Sequence, residues 1–177
     1  ADEYPSYHLD LDSGAYTLLP GDATAINNHG NIVGNTNTQG GGEELNLGYY
    51  MSSHMAQPVM LPPLAGDSVS RANDINDDQI IVGKSDGVAV AWQAVVDTDG
   101  SLVIHGPVPM LPLNGDDTSY AFKINDPIAG PAQAVGTSWG SPTRTAVRWE
   151  ITLNPDGSLA STAAPVSVGT LGLWAES

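Results

Sequence analysis

One short phrase occurs three times along the chain and constrains its folding more than any other feature. Ala25-Ile26-Asn27-Asn28-His29-Gly30-Asn31-Ile32-Val33-Gly34 returns as Asp74-Ile75-Asn76-Asp77-Asp78-Gln79-Ile80-Ile81-Val82-Gly83. It returns again, with a four-residue insertion, from Lys123-Ile124-Asn125-Asp126 to Gln133-Ala134-Val135-Gly136. Successive Ile-Asn pairs are 49 residues apart. A regular spacing of this kind means stacked copies of one supersecondary unit, each burying its apolar face against a neighbour. Leu/Pro/Gly/Asp punctuation precedes each copy: Leu18 to Asp22, Leu61 to Asp67 and Leu111 to Asp116. An aromatic segment follows each: Tyr49-Tyr50-Met51, Ala91-Trp92-Gln93 and Arg148-Trp149-Glu150.

Within a unit, short β-branched and aromatic runs alternate with turn residues and no helical stripe persists, so each unit reads as four short strands. Asp99-Gly100 and Asp156-Gly157 lie between apolar runs and predict tight hairpins. The stretch from Tyr7 to Leu19 resembles strands three and four of a further unit that lacks its first half. The predicted fold is all-β, a propeller-like repeat of about three and a half four-stranded units. Its boundaries are a half unit at 4–21 and units at about 22–66, 67–115 and 116–172, in a single repeat domain over 1–177. Three units of four strands also fit a β-trefoil, the alternative. Ile26, Val33, Ile75, Val82, Trp92, Ile124, Val135 and Trp149 are the predicted core.

The pattern Ala-x-x-Ile-Asn-x-x-Gly-x-Ile-Val-Gly, with an aromatic strand behind it and a segment such as Val168-Gly169-Thr170-Leu171-Gly172, resembles the bacterial extracellular HAF repeat family. The likeness runs from about Tyr7 to Gly172 and is closest in the first two copies; in the third, Pro127-Ile128-Ala129-Gly130-Pro131 replaces the short turn. The resemblance implies a secreted, propeller-like repeat protein without an established activity, and it supplies no catalytic residues to carry over.

Charge narrows the function classes. Among 177 residues, 20 Asp and Glu face 5 Lys and Arg, for a formal net charge of -15. Such a chain repels phosphate backbones and anionic membrane surfaces, which argues against nucleic-acid partners. No apolar run approaches the roughly 20 residues of a membrane-spanning helix. With no cysteine, disulfides, thiolate metal sites and Cys nucleophiles are excluded. A first residue of Ala1 in place of Met, a Gly/Asn/Asp/Thr-rich composition and few lysines point to a bacterial secreted, periplasmic or extracellular protein.

Several segments invite chemistry. Gly136-Thr137-Ser138-Trp139-Gly140 fits the nucleophile elbow, but that motif needs a strand entering a helix, and Gly83-Lys84-Ser85-Asp86-Gly87 repeats it at the same place; no catalytic residue is assigned. Asn27, Asn76 and Asn125 could present three amides to a ligand, although Asn commonly ends strands by bonding nearby backbone. Asp22, Asp67, Asp116 and Asp117 recur before strand one, and Asp97 and Asp99 open a calcium-like loop. Ca²⁺, which takes about 6–8 oxygen ligands, is the one cofactor these acids suggest. His8, His29, His54 and His105 lack zinc spacing, and Met51 to Met55 offers soft ligands for copper. Gly40-Gly41-Gly42 lacks the Lys-Ser/Thr of a phosphate loop. Tyr49, Tyr50, Tyr120, Trp139 and Trp174 lie near Gly, Ser or Asn, and sugar-binding modules stack such rings on pyranose faces; Trp139 has no counterpart in the other units.

The leading expectation is a non-catalytic module binding a carbohydrate or protein surface, calcium-stabilised through its turn acids. One alternative is a polysaccharide hydrolase using two carboxylates about 5–10 Å apart. The other is a structural or self-assembly element, a homo-oligomer paired through the open edges of an incomplete repeat.

Overall fold

A computed structural model of the protein describes residues 6–36 and 46–170. Among them there are fifteen strands, all paired antiparallel, and no helix. β1 (Tyr7–Leu9) and β2 (Tyr16–Leu18) form a two-stranded hairpin. β3 (Asp22–Ile26), β4 (Ile32–Asn35), β5 (Gly48–Met51) and β6 (Val59–Met60) make a four-stranded meander. β7 (Ser70–Ile75), β8 (Ile80–Ser85), β9 (Val88–Val96) and β10 (Leu102–Met110) make a second. The third contains β11 (Thr118–Ile124), β12 (Ala132–Gly140) and β13 (Thr143–Leu153), with β14 (Leu159–Thr162) and β15 (Val166–Thr170) dividing its outer edge between them. These sheets are separate, and among the described residues none closes into the barrel that the trefoil alternative requires.

The repeat is kept at the level of register. Ala23 faces Gly34, Ala72 faces Gly83 and Ala121 faces Gly136, and in each pair of strands the register breaks one residue later, at Thr24, Asn73 and Phe122. This bulge turns a strand-one carbonyl over the glycine. A Cβ on Gly34, Gly83 or Gly136 would run into the carbonyl oxygen of Asp22, Arg71 or Tyr120 respectively. The recurrent Gly therefore serves close backbone approach.

Alternating side chains send each sheet's two faces to different neighbours. Val33 and Tyr50 of the first sheet are buried with Ile81, Val90 and Trp92 of the second. Ile80, Val82, Ala89 and Ala91, on the second sheet's other face, are buried with Ala134, Val147, Trp149 and Ile151 of the third. Both tryptophans are fully buried, and each satisfies its indole N–H on a punctuation carbonyl: Trp92 on Pro62 at 2.8 Å and Trp149 on Leu111 at 2.9 Å. Leu19, Ile32, Tyr49 and Met51 form a smaller cluster. Next to it the β1–β2 hairpin docks through the Ala23 N–H, which donates to the Ser6 hydroxyl at 3.1 Å, and through His8 stacked on His54 at 4.0 Å.

Polar groups also step from unit to unit. The Asn27 side-chain amide donates to the Asn76 carbonyl at 3.0 Å, and that of Asn76 donates to the Asn125 carbonyl at 3.1 Å. The Asn28 backbone N–H donates to Asp77 and that of Asp77 to Asp126. At the bulge, Thr24 donates to the Ala72 carbonyl and Asn73 to that of Ala121.

Two predicted core residues are not core. Ile26 is 57% exposed and Val135 45% exposed, whereas their counterparts Ile75 and Val82 are buried. Both lie at the ends of the stack. Among the described residues Ile26 faces only the two-stranded β1–β2 hairpin, and Val135 lies on the face of the third sheet that no further sheet covers. Across from Val135 stands Arg148, ion-paired with Glu150 at 3.3 Å, where the inner sheets carry Tyr50 and Ala91. Charge at that position suits a terminal face.

Candidate ligand-binding groove

A groove of about 390 Å³ opens where the β8–β9 turn meets the first strands of the third sheet. The Ser119 N–H holds the two together by donating to the Gly87 carbonyl. From the second sheet the groove takes Lys84 and Asp86, and from the third Tyr120, Phe122, Trp139 and Arg144. Tyr120 and Phe122 lie two apart on β11, their rings tilted at 43° with centroids 4.7 Å apart. Ser119 and Ala121, which alternate with them along the strand, turn inward and are buried. Trp139 is 49% exposed and Phe122 44%. Lys84 Nζ lies 5.2 Å from the Tyr120 ring centroid, and the Arg144 guanidinium 5.2 Å from that of Trp139, which it faces across the β12–β13 ladder. Both are cation–π distances.

The shared register shows what stands at these positions in the other units. Tyr120 replaces Asp22 and Arg71, Phe122 replaces Thr24 and Asn73, and Trp139 replaces Asp86. In the first two units the bulge residue carries the inter-unit hydrogen bond; in the third the same place holds an exposed phenyl ring.

The predicted ligand aromatics therefore divide. Tyr120 and Trp139 come together in the groove, while Tyr49 and Tyr50 do not reach the surface: they are 0% and 1% exposed, in the core. Tyr50 donates its hydroxyl to Gln79, and Tyr49 packs over Gly34. Burial raises the Tyr50 phenol, and burial followed by the Asp22 charge raises that of Tyr49 to about 12. Trp174 and Gly40-Gly41-Gly42 lie outside the described residues.

The six acids considered for calcium are spread out, and among the described residues no three His, Asp or Glu are grouped to hold a metal. Asp67 and Asp116 accept hydrogen bonds from Ser85 at 2.6 Å and Ser138 at 2.5 Å, and those serines accept the N–H of Leu64 and Leu113. The pairs lock the punctuation loops. Asp22 is not their equivalent, because strand register aligns it with Arg71. The Asp117 backbone N–H donates to the Trp139 carbonyl. Asp97 and Asp99 shape the β9–β10 hairpin, where the Ser101 side chain, and then the Ser101 N–H that Asp99 accepts, lower the Asp99 pKa.

Ser138 is fully buried and already engaged on both sides, an arrangement shared by Ser85. Asn27 and Asn76 spend their amides on the inter-unit ladder, and Asn125 accepts the Gln133 N–H. Of the copper candidates, Met51 is core and Met55 is 74% exposed. No family model, curated protein or solved structure matches the chain.

Proposed function

We propose that the chain is a non-catalytic, propeller-like β-repeat module, secreted by a bacterium, which binds a carbohydrate in the Tyr120–Phe122–Trp139 groove. One observation carries this reading: three aromatic rings line a groove at positions that are polar in the sister units, with about half of Trp139 exposed. Leaving indole and phenyl surface in water costs about 25 cal/mol per Å², and no packing need of the unit requires it. Rings of this kind offer flat apolar faces to the C–H face of a pyranose, and the Thr118 and Thr137 hydroxyls in the same wall suit sugar hydroxyls. The likeness of the repeat to the HAF family supports the extracellular setting.

The hydrolase alternative needs two carboxylates across one cleft, and among the described residues Asp86 is the one acid lining this groove. To test the binding reading, a panel of neutral and acidic oligosaccharides is titrated into the wild type and Trp139→Ala. Binding by the wild type that Trp139→Ala abolishes with its strand signature intact is expected; undiminished binding by the variant would count against the groove.

A second reading has its own observation. Tyr7, Leu9, Tyr16 and Leu18 lie on one face of the β1–β2 hairpin in the facing pairs Tyr7–Leu18 and Leu9–Tyr16, and they are 56%, 44%, 73% and 62% exposed. An apolar face on a two-stranded half unit suits self-assembly, and it is compatible with sugar binding at the far end of the stack.

A further inference from the structure

We propose that the groove is selective for an acidic sugar, a uronate whose carboxylate is held by Lys84 and Arg144 while its ring lies against Trp139 or Tyr120; this rests on the carbohydrate reading above.

The whole chain has 5 Lys and Arg against 20 Asp and Glu, so cations gathered in one place stand out against an acidic background. Lys123 and Arg148 do have partners, Asp74 and Glu150, each at 3.3 Å. Lys84 and Arg144 have no carboxylate within 4.0 Å among the described residues, and both line the same groove. Arg71 faces Lys84 across the β7–β8 ladder and adds a third positive charge beside them.

Their seating adds the second element. Each cation rests over an aromatic ring, a contact that fixes its position without consuming its hydrogen-bond donors. A guanidinium laid on an indole keeps its N–H edge open, and that edge matches a carboxylate in a two-point bond. Ring stacking and anion recognition thereby fall on one ligand. A uronic acid carries both, an apolar pyranose face and a carboxylate one bond from the ring; a neutral sugar would leave the two cations unused. The acids elsewhere on the chain do not cancel this preference, because at physiological salt their field is screened beyond about 8 Å. Asp86 is the opposing charge on the groove wall.

The test uses the whole chain and calorimetric titration with oligogalacturonate, oligoalginate and hyaluronan oligosaccharides, each beside its carboxyl-reduced form, in which the uronate has become a neutral hexose. At least one acidic oligosaccharide is expected to bind about tenfold or more tighter than its reduced form. Arg144→Gln and Lys84→Gln should remove that difference, Asp86→Asn should increase it, and Lys123→Gln, the same charge change outside the groove, should leave it unaltered. Equal binding of acidic and reduced forms, still abolished by Trp139→Ala, would overturn the acid selectivity and leave the carbohydrate reading standing. An equal loss in Lys123→Gln would also overturn it, by making the effect one of net charge. No binding of any oligosaccharide, acidic or neutral, would overturn both.

Discussion

Asn76 bears the same relation to Asn125 that Asn27 bears to Asn76: a side-chain amide donating to the main-chain carbonyl 49 residues on, at 3.1 and 3.0 Å. The same side chain closes its own turn, since the Ile80 N–H donates to Asn76 Oδ1 at 2.9 Å. One residue thus shapes a β-turn and fastens it to the next unit, which explains why the Ile-Asn pair is the most regular element of the repeat.

Removing Asn76 severs both bonds at a site only 2% exposed. Asn76→Ala is expected to lower stability by about 1–3 kcal/mol, the cost of stranding buried polar partners. Among the described residues Asn125 holds no following unit, so Asn125→Ala should cost less, about 0.5–1 kcal/mol. Urea unfolding of the two variants checks the order, and a reversed order would remove the ladder from the account.

Gly83 faces Ala72 beneath the bulge, and a methyl group there would collide with the Arg71 carbonyl. Gly83→Ala is expected to destabilise by about 1–3 kcal/mol, as overpacked sites do. Gly100 has open space around it and a φ of 84°, so Gly100→Ala should cost only the roughly 1–2 kcal/mol of a left-handed backbone. Thermal melts that keep their midpoint in Gly83→Ala would contradict the bulge geometry.

The Tyr49 hydroxyl is buried without a hydrogen-bond partner. Tyr49→Phe should therefore stabilise the chain at neutral pH, by about 1 kcal/mol. The phenol, raised to about 12 in the fold by burial and by Asp22, ionises near 10 when unfolded. The folded chain then holds the proton more tightly, so the wild type keeps this contribution in full below about pH 10 and loses it as pH climbs toward 12. In Tyr49→Phe that contribution to the alkaline decline should disappear. Identical alkaline unfolding of wild type and variant would sink this assignment.

Replacing Tyr16 and Leu18 by Ser removes half of the apolar face on the β1–β2 hairpin while leaving the Leu19, Ile32, Tyr49 and Met51 cluster beneath it. Under the assembly reading, light scattering should show a wild type heavier than one chain and a variant reduced to a single chain. A monomeric wild type at high concentration would remove that reading.

Much of this architecture was legible in the residues. The all-β character, the antiparallel meanders and the Asp-Gly hairpins follow from short apolar runs between turn residues, a period that helices do not share; the third sheet departs from the expected four strands, because β14 and β15 share its edge. Tyr49 and Tyr50 misled because Gly48 beside them resembles a loop residue. It is instead a point of close approach, where a Cβ would lie 2.9 Å from the Ala72 nitrogen, and that crossing buries the rings. Asp22 misled because its Leu-Pro-Gly-Asp punctuation matches that of Asp67, whereas bulge and register, which no local spelling reveals, give it the place that Arg71 holds in the second unit. Trp139 and Tyr120 stood out as aromatics in a polar context. Lys84 and Arg144 did not, because their groove exists only once the β8–β9 turn of one unit is stacked on the sheet of the next.

The central claim is that ligand binds at the exposed indole of the third unit. The most direct measurement is the NMR shift of the indole N–H signals during titration with an oligosaccharide that binds. Trp92 and Trp149 are fully buried and bonded to Pro62 and Leu111, and they serve as internal references. The account predicts that the Trp139 signal moves in step with saturation while those two stay fixed. Saturable binding with the Trp139 signal unmoved would contradict it.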